Sequence, residues 1–159
     1  TGHVNTANFQ ALQQQLQQFH QAQSELASID TSELLDVESE SQRLTQNIEK
    51  TIVYFSEETD LMPKQETLLQ ALLVDIKQLL VYSQELKQTV HLQVIGNTDG
   101  LGTELHNQQL GQRRAEVIVN WLRKHGIDEN LLKATLPSKI HFGETQPKPN
   151  DRSAVFQVK

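Results

Sequence analysis

The sequence predicts an α+β fold, with strands covered by helices on one side and a helical arm in front. Three observations carry that expectation. From residue 51 onward, β-type runs and helical apolar stripes follow one another in the order β-α-β-α-β-β. Before residue 51 the chain turns to Gln, Ser and Glu around a narrow apolar stripe. Its 159 residues make one domain, or one domain with an arm, and can bury a core without metals or disulfides.

Each element has its own signal. Phe9, Leu12, Leu16, Phe19 and Leu26 stand at nearly heptad steps, with Gln13, Gln14, Gln15, Gln17 and Gln18 opposite, which predicts an amphipathic helix. Asp30 with Glu33 three residues on reads as a helix restart with a capping box. The alternative is a short extended stretch around Leu34, Leu35 and Val37 before a helix carrying Leu44 and Ile48. Residues 1–50 are thus expected as arm or linker and 51–159 as the domain. Ile52-Val53-Tyr54-Phe55 reads as a strand. Pro63 suits a helix's first turn, and Leu68, Leu69, Leu72, Leu73, Ile76, Leu79 and Leu80 form one broad face of that helix. Val74 and Val81, on its other side, would seat the arm. Val90, Leu92 and Val94 alternate with His91, Gln93 and Ile95 in a strand ending at Gly96. A helix through Leu110, Val117, Ile118, Trp121 and Leu122 stops at Gly126, with Trp121 expected in the core. Residues 132–142 read as an irregular strand interrupted by Pro137, and Ala154, Phe156 and Val158 mark the last one.

Composition narrows the function classes. Fourteen basic residues against twenty acidic ones give a net charge of −6, which argues against a nucleic-acid footprint or a polybasic lipid binder. No run reaches the length and apolarity of a membrane span, and no signal-peptide pattern is expected. The start at Thr1-Gly2-His3 reads as an excised fragment or a mature segment. The absence of cysteine excludes disulfides, thiolate zinc sites and thiol catalysis. There is no G-x-S-x-G, H-E-x-x-H or G-x-x-x-x-G-K-[ST] pattern. Gly96, Gly100 and Gly102 lack the Lys-Ser or Lys-Thr of a phosphate cradle, and a calcium loop would need an acid where Gln108 stands. The six histidines are scattered. No catalytic residue, metal site or cofactor is expected.

One residue does not fit its surroundings. On a helical wheel Arg114 falls in the middle of the stripe made by Leu110, Val117, Ile118, Trp121 and Leu122. A guanidinium there costs several kcal/mol without an anion, so a carboxylate partner is expected, held by the planar fork. Asp99 follows Gly96-Asn97-Thr98 just past a strand's end, and the flexible Gly100-Leu101-Gly102 comes next. A strand, a Gly-rich turn and a helix bring Asp99 and Arg114 to one end of the sheet. One fixed anion beside one fixed cation complements a zwitterion.

The run from Gly96 to Gly102, then Asn107 and Leu110-Gly111-Gln112-Arg113-Arg114-Ala115, resembles the G-H-T-D-x-x-G…N-x-x-L-S-x-x-R-A signature of the OmpA C-terminal-like domain family. Leu61 with Pro63, Gly126-Ile127, Phe142-Gly143-Glu144 with Pro147, and Asp151-Arg152-Ser153-Ala154 match further landmarks in order. The resemblance spans roughly residues 51–159. It implies helices on one face of a mixed sheet and non-covalent binding of the peptidoglycan stem peptide, with no enzyme activity. Asp99 would then hold the ammonium of diaminopimelate and Arg114 its carboxylate. Thr98 belongs to the motif, and the backbone N–H groups of Gly100 to Thr103, Gly102 among them, would add anion contacts at a helix N-terminus. Asn97, Asn107 and Arg152 are second-rank candidates that hold the loops. A periplasmic location, as part of a membrane-anchored envelope protein, also follows from the resemblance. A homo-oligomer or an envelope partner would use residues 5–48. The sequence departs from the family pattern at Asn97, where His is usual, and at Asp151-Arg152-Ser153, where N-R-R is usual. The loop from Pro147 to Asp151 is shorter than in typical members, and residues 128–141 are longer by a few.

Overall fold

The computed structural model describes the backbone of residues 2–159 and the side chains of residues 10–18 and 33–159. The elements are α1 (Gly2–Lys50), β1 (Ile52–Tyr54), α2 (Gln65–Glu85), β2 (Leu92–Asn97), α3 (Glu104–Lys124), β3 (Leu132–Thr135) and β4 (Ser153–Val158). Single 3-10 turns lie at Glu129–Leu131 and Pro149–Asp151. The chain divides into two units, residues 1–39 and 40–159.

In the first unit Leu12 and Leu16 are 63% and 55% exposed, so this part of the stripe stands in solvent. The side chains of Phe9, Phe19 and Leu26 lie outside the described residues. The restart expected at Asp30 and the extended stretch at Leu34–Val37 are both absent, and the backbone is helical throughout. A lone extended stretch would have no ladder partner for its peptide groups, whereas a helix satisfies them internally.

In the second unit the strand order is β1-β4-β2-β3. Strand β4 is antiparallel to both neighbours and β2 is parallel to β3, so the sheet is mixed. The register Val94↔Phe156, Gly96↔Ala154 and Val53↔Ala154 aligns these residues across the strands, and the buried members meet one core. That core includes Leu69, Leu72, Leu73, Ile76 and Leu79 of α2 and Ala115, Ile118 and Leu122 of α3. Leu44 and Ile48 join it, so the last turns of α1 pack inside the domain although the composition boundary falls near residue 50.

Several element details differ from expectation. Pro63 lies ahead of α2, because Lys64 takes a left-handed φ of 70° that no helical first turn allows. Strand β3 is only Leu132–Thr135, and Pro137 falls in the loop beyond it. Val74 and Val81 are 66% and 49% exposed and seat nothing within this unit. Trp121 is half-buried: it stacks on His125 at 3.8 Å and donates its Nε1–H to Glu66 Oε1 at 3.0 Å. The indole N–H needs an acceptor, and the apolar core holds none. Helix α3 ends as expected, with Gly126 at φ 100° and the Ile127 N–H bonded to the Leu122 carbonyl.

Candidate functional site

The site stands at the carboxyl end of β2. Helix α3 approaches that end closely: a Cβ on Gly96 would lie 1.8 Å from the Gly111 carbonyl oxygen, so only glycine fits there. This close approach brings Arg114, ten residues into α3, over the loop that follows β1.

Arg114 is fully buried. Its expected carboxylate partner is replaced by four backbone carbonyls. Nε donates to Glu58 O at 2.8 Å and Nη1 to Asn97 O at 3.0 Å. Nη2 donates to Glu57 O at 2.9 Å and Ser56 O at 3.3 Å, and the guanidinium carbon lies 5.7 Å from the Phe55 ring centre. Burial pulls the group down to about 10, against the opposing pull of the Asp99 carboxylate. It therefore stays cationic at neutral pH.

Asp99, buried as well, pairs with a different arginine. Arg152 Nε donates to Asp99 Oδ2 at 3.0 Å. The pairing follows from strand register: Asn97 lies opposite Ser153, so the residues just beyond β2 and just before β4 meet. Burial pushes the Asp99 carboxyl upward, but the Arg152 hydrogen bond, the Leu101 amide and the Arg152 charge outweigh it and hold the group below the usual carboxylate range.

The remaining candidates shape the loop. Asn107 is buried; its amide donates to Leu101 O at 2.9 Å and Thr103 O at 2.7 Å, and its Oδ1 accepts from Thr98 Oγ1 at 2.7 Å. Asn97 Nδ2 donates to Ser153 Oγ at 3.3 Å. Gly100 and Gly102 sit at φ 82° and 85°, and their carbonyls accept from the Glu144 and Gly143 amides at 3.0 and 2.8 Å. Of the amides expected to meet an anion, that of Leu101 turns back onto Asp99 Oδ1 at 3.4 Å. Thr103 caps α3 by accepting from the His106 N–H at 3.1 Å. The structure thus brings Asp99, Arg114, Arg152, Asn97, Thr98 and Asn107 together. The Ser56, Glu57 and Glu58 carbonyls carry no side-chain signal, so sequence reasoning could not have found them. Phe55 was legible only as a strand residue.

Residues 53–157 match the model of the OmpA family. The chain belongs to the OmpA family. Among solved structures, the peptidoglycan-associated lipoprotein from Burkholderia pseudomallei is similar with a TM-score of 0.55 at 24% identity, covering 69% of this chain and 91% of that one. The C-terminal domain of Helicobacter pylori MotB is similar with a TM-score of 0.51 at 16% identity, covering 69% and 84%. At these identities the likeness is one of fold. No curated protein matches the chain. Among the described residues, no helix of this OmpA-family chain is long and apolar enough to cross a membrane.

Proposed function

We propose that this chain is a non-catalytic peptidoglycan-binding domain that holds the diaminopimelate of the stem peptide and anchors an envelope protein to the cell wall. The observation that carries the reading is the nearly closed cluster of Asp99, Arg114 and Arg152 at the end of β2, within the family's own motif. Asp99 takes the ligand's ammonium, since the hydrogen bond that its Oδ1 accepts from the Leu101 amide is long, at 3.4 Å. Arg114 takes the carboxylate, which replaces the Ser56 carbonyl, the longest of its four contacts at 3.3 Å. A carboxylate is the stronger acceptor for a guanidinium, so that exchange favours the ligand. Holding the peptide needs no covalent step. The solved relative from Burkholderia pseudomallei is peptidoglycan-associated by name, which supports the substrate class. A periplasmic location belongs to the same proposal. Residues 1–39 connect the domain to its parent or to a second copy.

Co-sedimentation with purified sacculi tests the reading. The wild-type domain should pellet and Asp99→Asn should stay in the supernatant with an unchanged circular dichroism spectrum. Equal pelleting of both would defeat it. A second reading is favoured by one observation: Arg114 has no exposed surface and all three of its nitrogens are engaged by carbonyls. In that reading the domain is an OmpA-like scaffold without ligand that serves protein contacts through its arm, and the wild type itself stays in the supernatant.

A further inference from the structure

The candidate site leaves one motif of the sequence unused, Phe142-Gly143-Glu144. This segment is laid along the Gly-rich turn. The Gly143 N–H donates to Gly102 O at 2.8 Å, the Glu144 N–H donates to Gly100 O at 3.0 Å, and Leu101 and Glu144 form a parallel bridge. A Cβ on Gly100 would lie 3.1 Å from His141 Cβ and 2.9 Å from Glu144 Cγ, so these two residues close over the turn. Between them Gly143 takes a φ of 77°, with open space where its Cβ would stand. That left-handed residue, which favours glycine, lets both ends of the segment be tied down while Phe142 stays 52% exposed.

A benzyl group on so well fixed a backbone is a preset apolar surface. Among the described residues of this loop, His141, Thr145 and Gln146 are exposed and polar and Glu144 pairs with Lys148 at 3.7 Å, which gives a protein partner no broad apolar patch. A pyranose suits these surroundings. It has an apolar C–H face the size of one phenyl ring, and a rim of hydroxyls for the polar side chains around it.

We infer that Phe142 is a stacking platform for an amino-sugar ring of the glycan strand, beside the peptide site. This deepens the peptidoglycan reading and rests on it. The reach agrees. Asp99 and Gly102 are three residues apart, at most about 11 Å, and Gly102 is bonded to the residue after Phe142. In a stem peptide whose third residue is held at Asp99, two residues and a lactyl ether separate that residue from the sugar, roughly 10–15 Å when extended. The first ring therefore falls within range of Phe142. His141, Glu144 and Lys148, on the same segment, supply donors and acceptors for its hydroxyl and acetamido groups.

The test is titration of the whole chain with a diaminopimelate tripeptide bearing a lactoyl group at its N-terminus, and with the same tripeptide on its disaccharide. The wild type should bind the disaccharide form about tenfold more tightly, the order that one aromatic stack contributes. Phe142→Ala should bind both forms alike, at the wild type's level for the bare tripeptide. Phe142→Leu, apolar but without a flat face, should lose most of the preference, and Phe142→Tyr should keep it. Preference retained in Phe142→Ala, undiminished in Phe142→Leu or lost in Phe142→Tyr overturns the inference. Equal weakening of both ligands by Phe142→Ala overturns it too, because Phe142 would then only support the loop. A wild type that binds the two forms alike overturns it and leaves the peptidoglycan reading standing. A wild type that binds neither brings down both.

Discussion

Four carbonyl dipoles stand in for water around the Arg114 guanidinium, and that determines what its substitution does. Arg114→Ala leaves those carbonyls without their donor and opens a void, at a cost of roughly 2–5 kcal/mol. Arg114→Lys keeps the charge but cannot span acceptors spread over Ser56, Glu57, Glu58 and Asn97, so its melting temperature should fall by a smaller margin. A lysine variant as stable as wild type would show that the pin is charge alone. Because alanine there damages the loop, Asp99→Asn is the cleaner binding variant. The Asp99 carboxyl is held low in the folded state, so its pairing with Arg152 stabilises above the unfolded value of about 3.9 and that stability is lost as pH falls through the folded value. Acid unfolding should therefore show wild type and Asp99→Asn separated near neutral pH and converging toward pH 2. A gap that stays constant would refute the sign. The polarity of both residues was legible from Arg114 lying on an apolar stripe and Asp99 following a strand. Their partners were not, because Arg114 is met by main-chain atoms and Arg152 reaches Asp99 only through strand register.

Helix α3 and strand β2 meet through two glycines. A Cβ at Gly111 would stand 2.8 Å from Gly96 O and 2.9 Å from Leu136 Cδ2, while one at Gly96 would overlap Gly111 O. Gly96→Ala should push α3 off the sheet and cost about 3 kcal/mol or more, and the displaced Arg114 would lose its carbonyls. Gly111→Ala gains up to about 1 kcal/mol of helix propensity, which partly offsets its milder clash. Thermal unfolding of the two variants checks the order: Gly96→Ala far below Gly111→Ala. The elements themselves were readable, since the periodicities at Leu69–Leu79 and at Leu92–Val94 are local. The start of α2 is not legible in the sequence, because Lys64 takes a left-handed turn that composition does not reveal.

At the scale of the molecule, the packing unit begins at Glu40. Leu44 and Ile48 are buried in its core, so removing residues 1–39 should leave the melting temperature unchanged. Removing residues 1–50 should lower it sharply, since losing one such side chain already costs about 2–5 kcal/mol. Equal stability of the two truncations would contradict the packing. With Leu12 and Leu16 in solvent, the exposed stripe also bears on assembly. If it joins two copies, light scattering should give a smaller mass per particle for the 40–159 fragment than the loss of 39 residues explains.

Sequence alone determined the order of strands and helices, the Gly-rich turn from Asp99 to Gly102, and the anomaly of a cation at position 114. Each of these is written in the spacing of neighbouring side chains. Only the tertiary structure decided that carbonyls rather than a carboxylate hold Arg114, that Asp99 belongs to Arg152, and that the arm's last turns lie in the core. Backbone acceptors are the same at every residue, and antiparallel register is set by contacts between segments far apart in the chain. No local pattern encodes either of them.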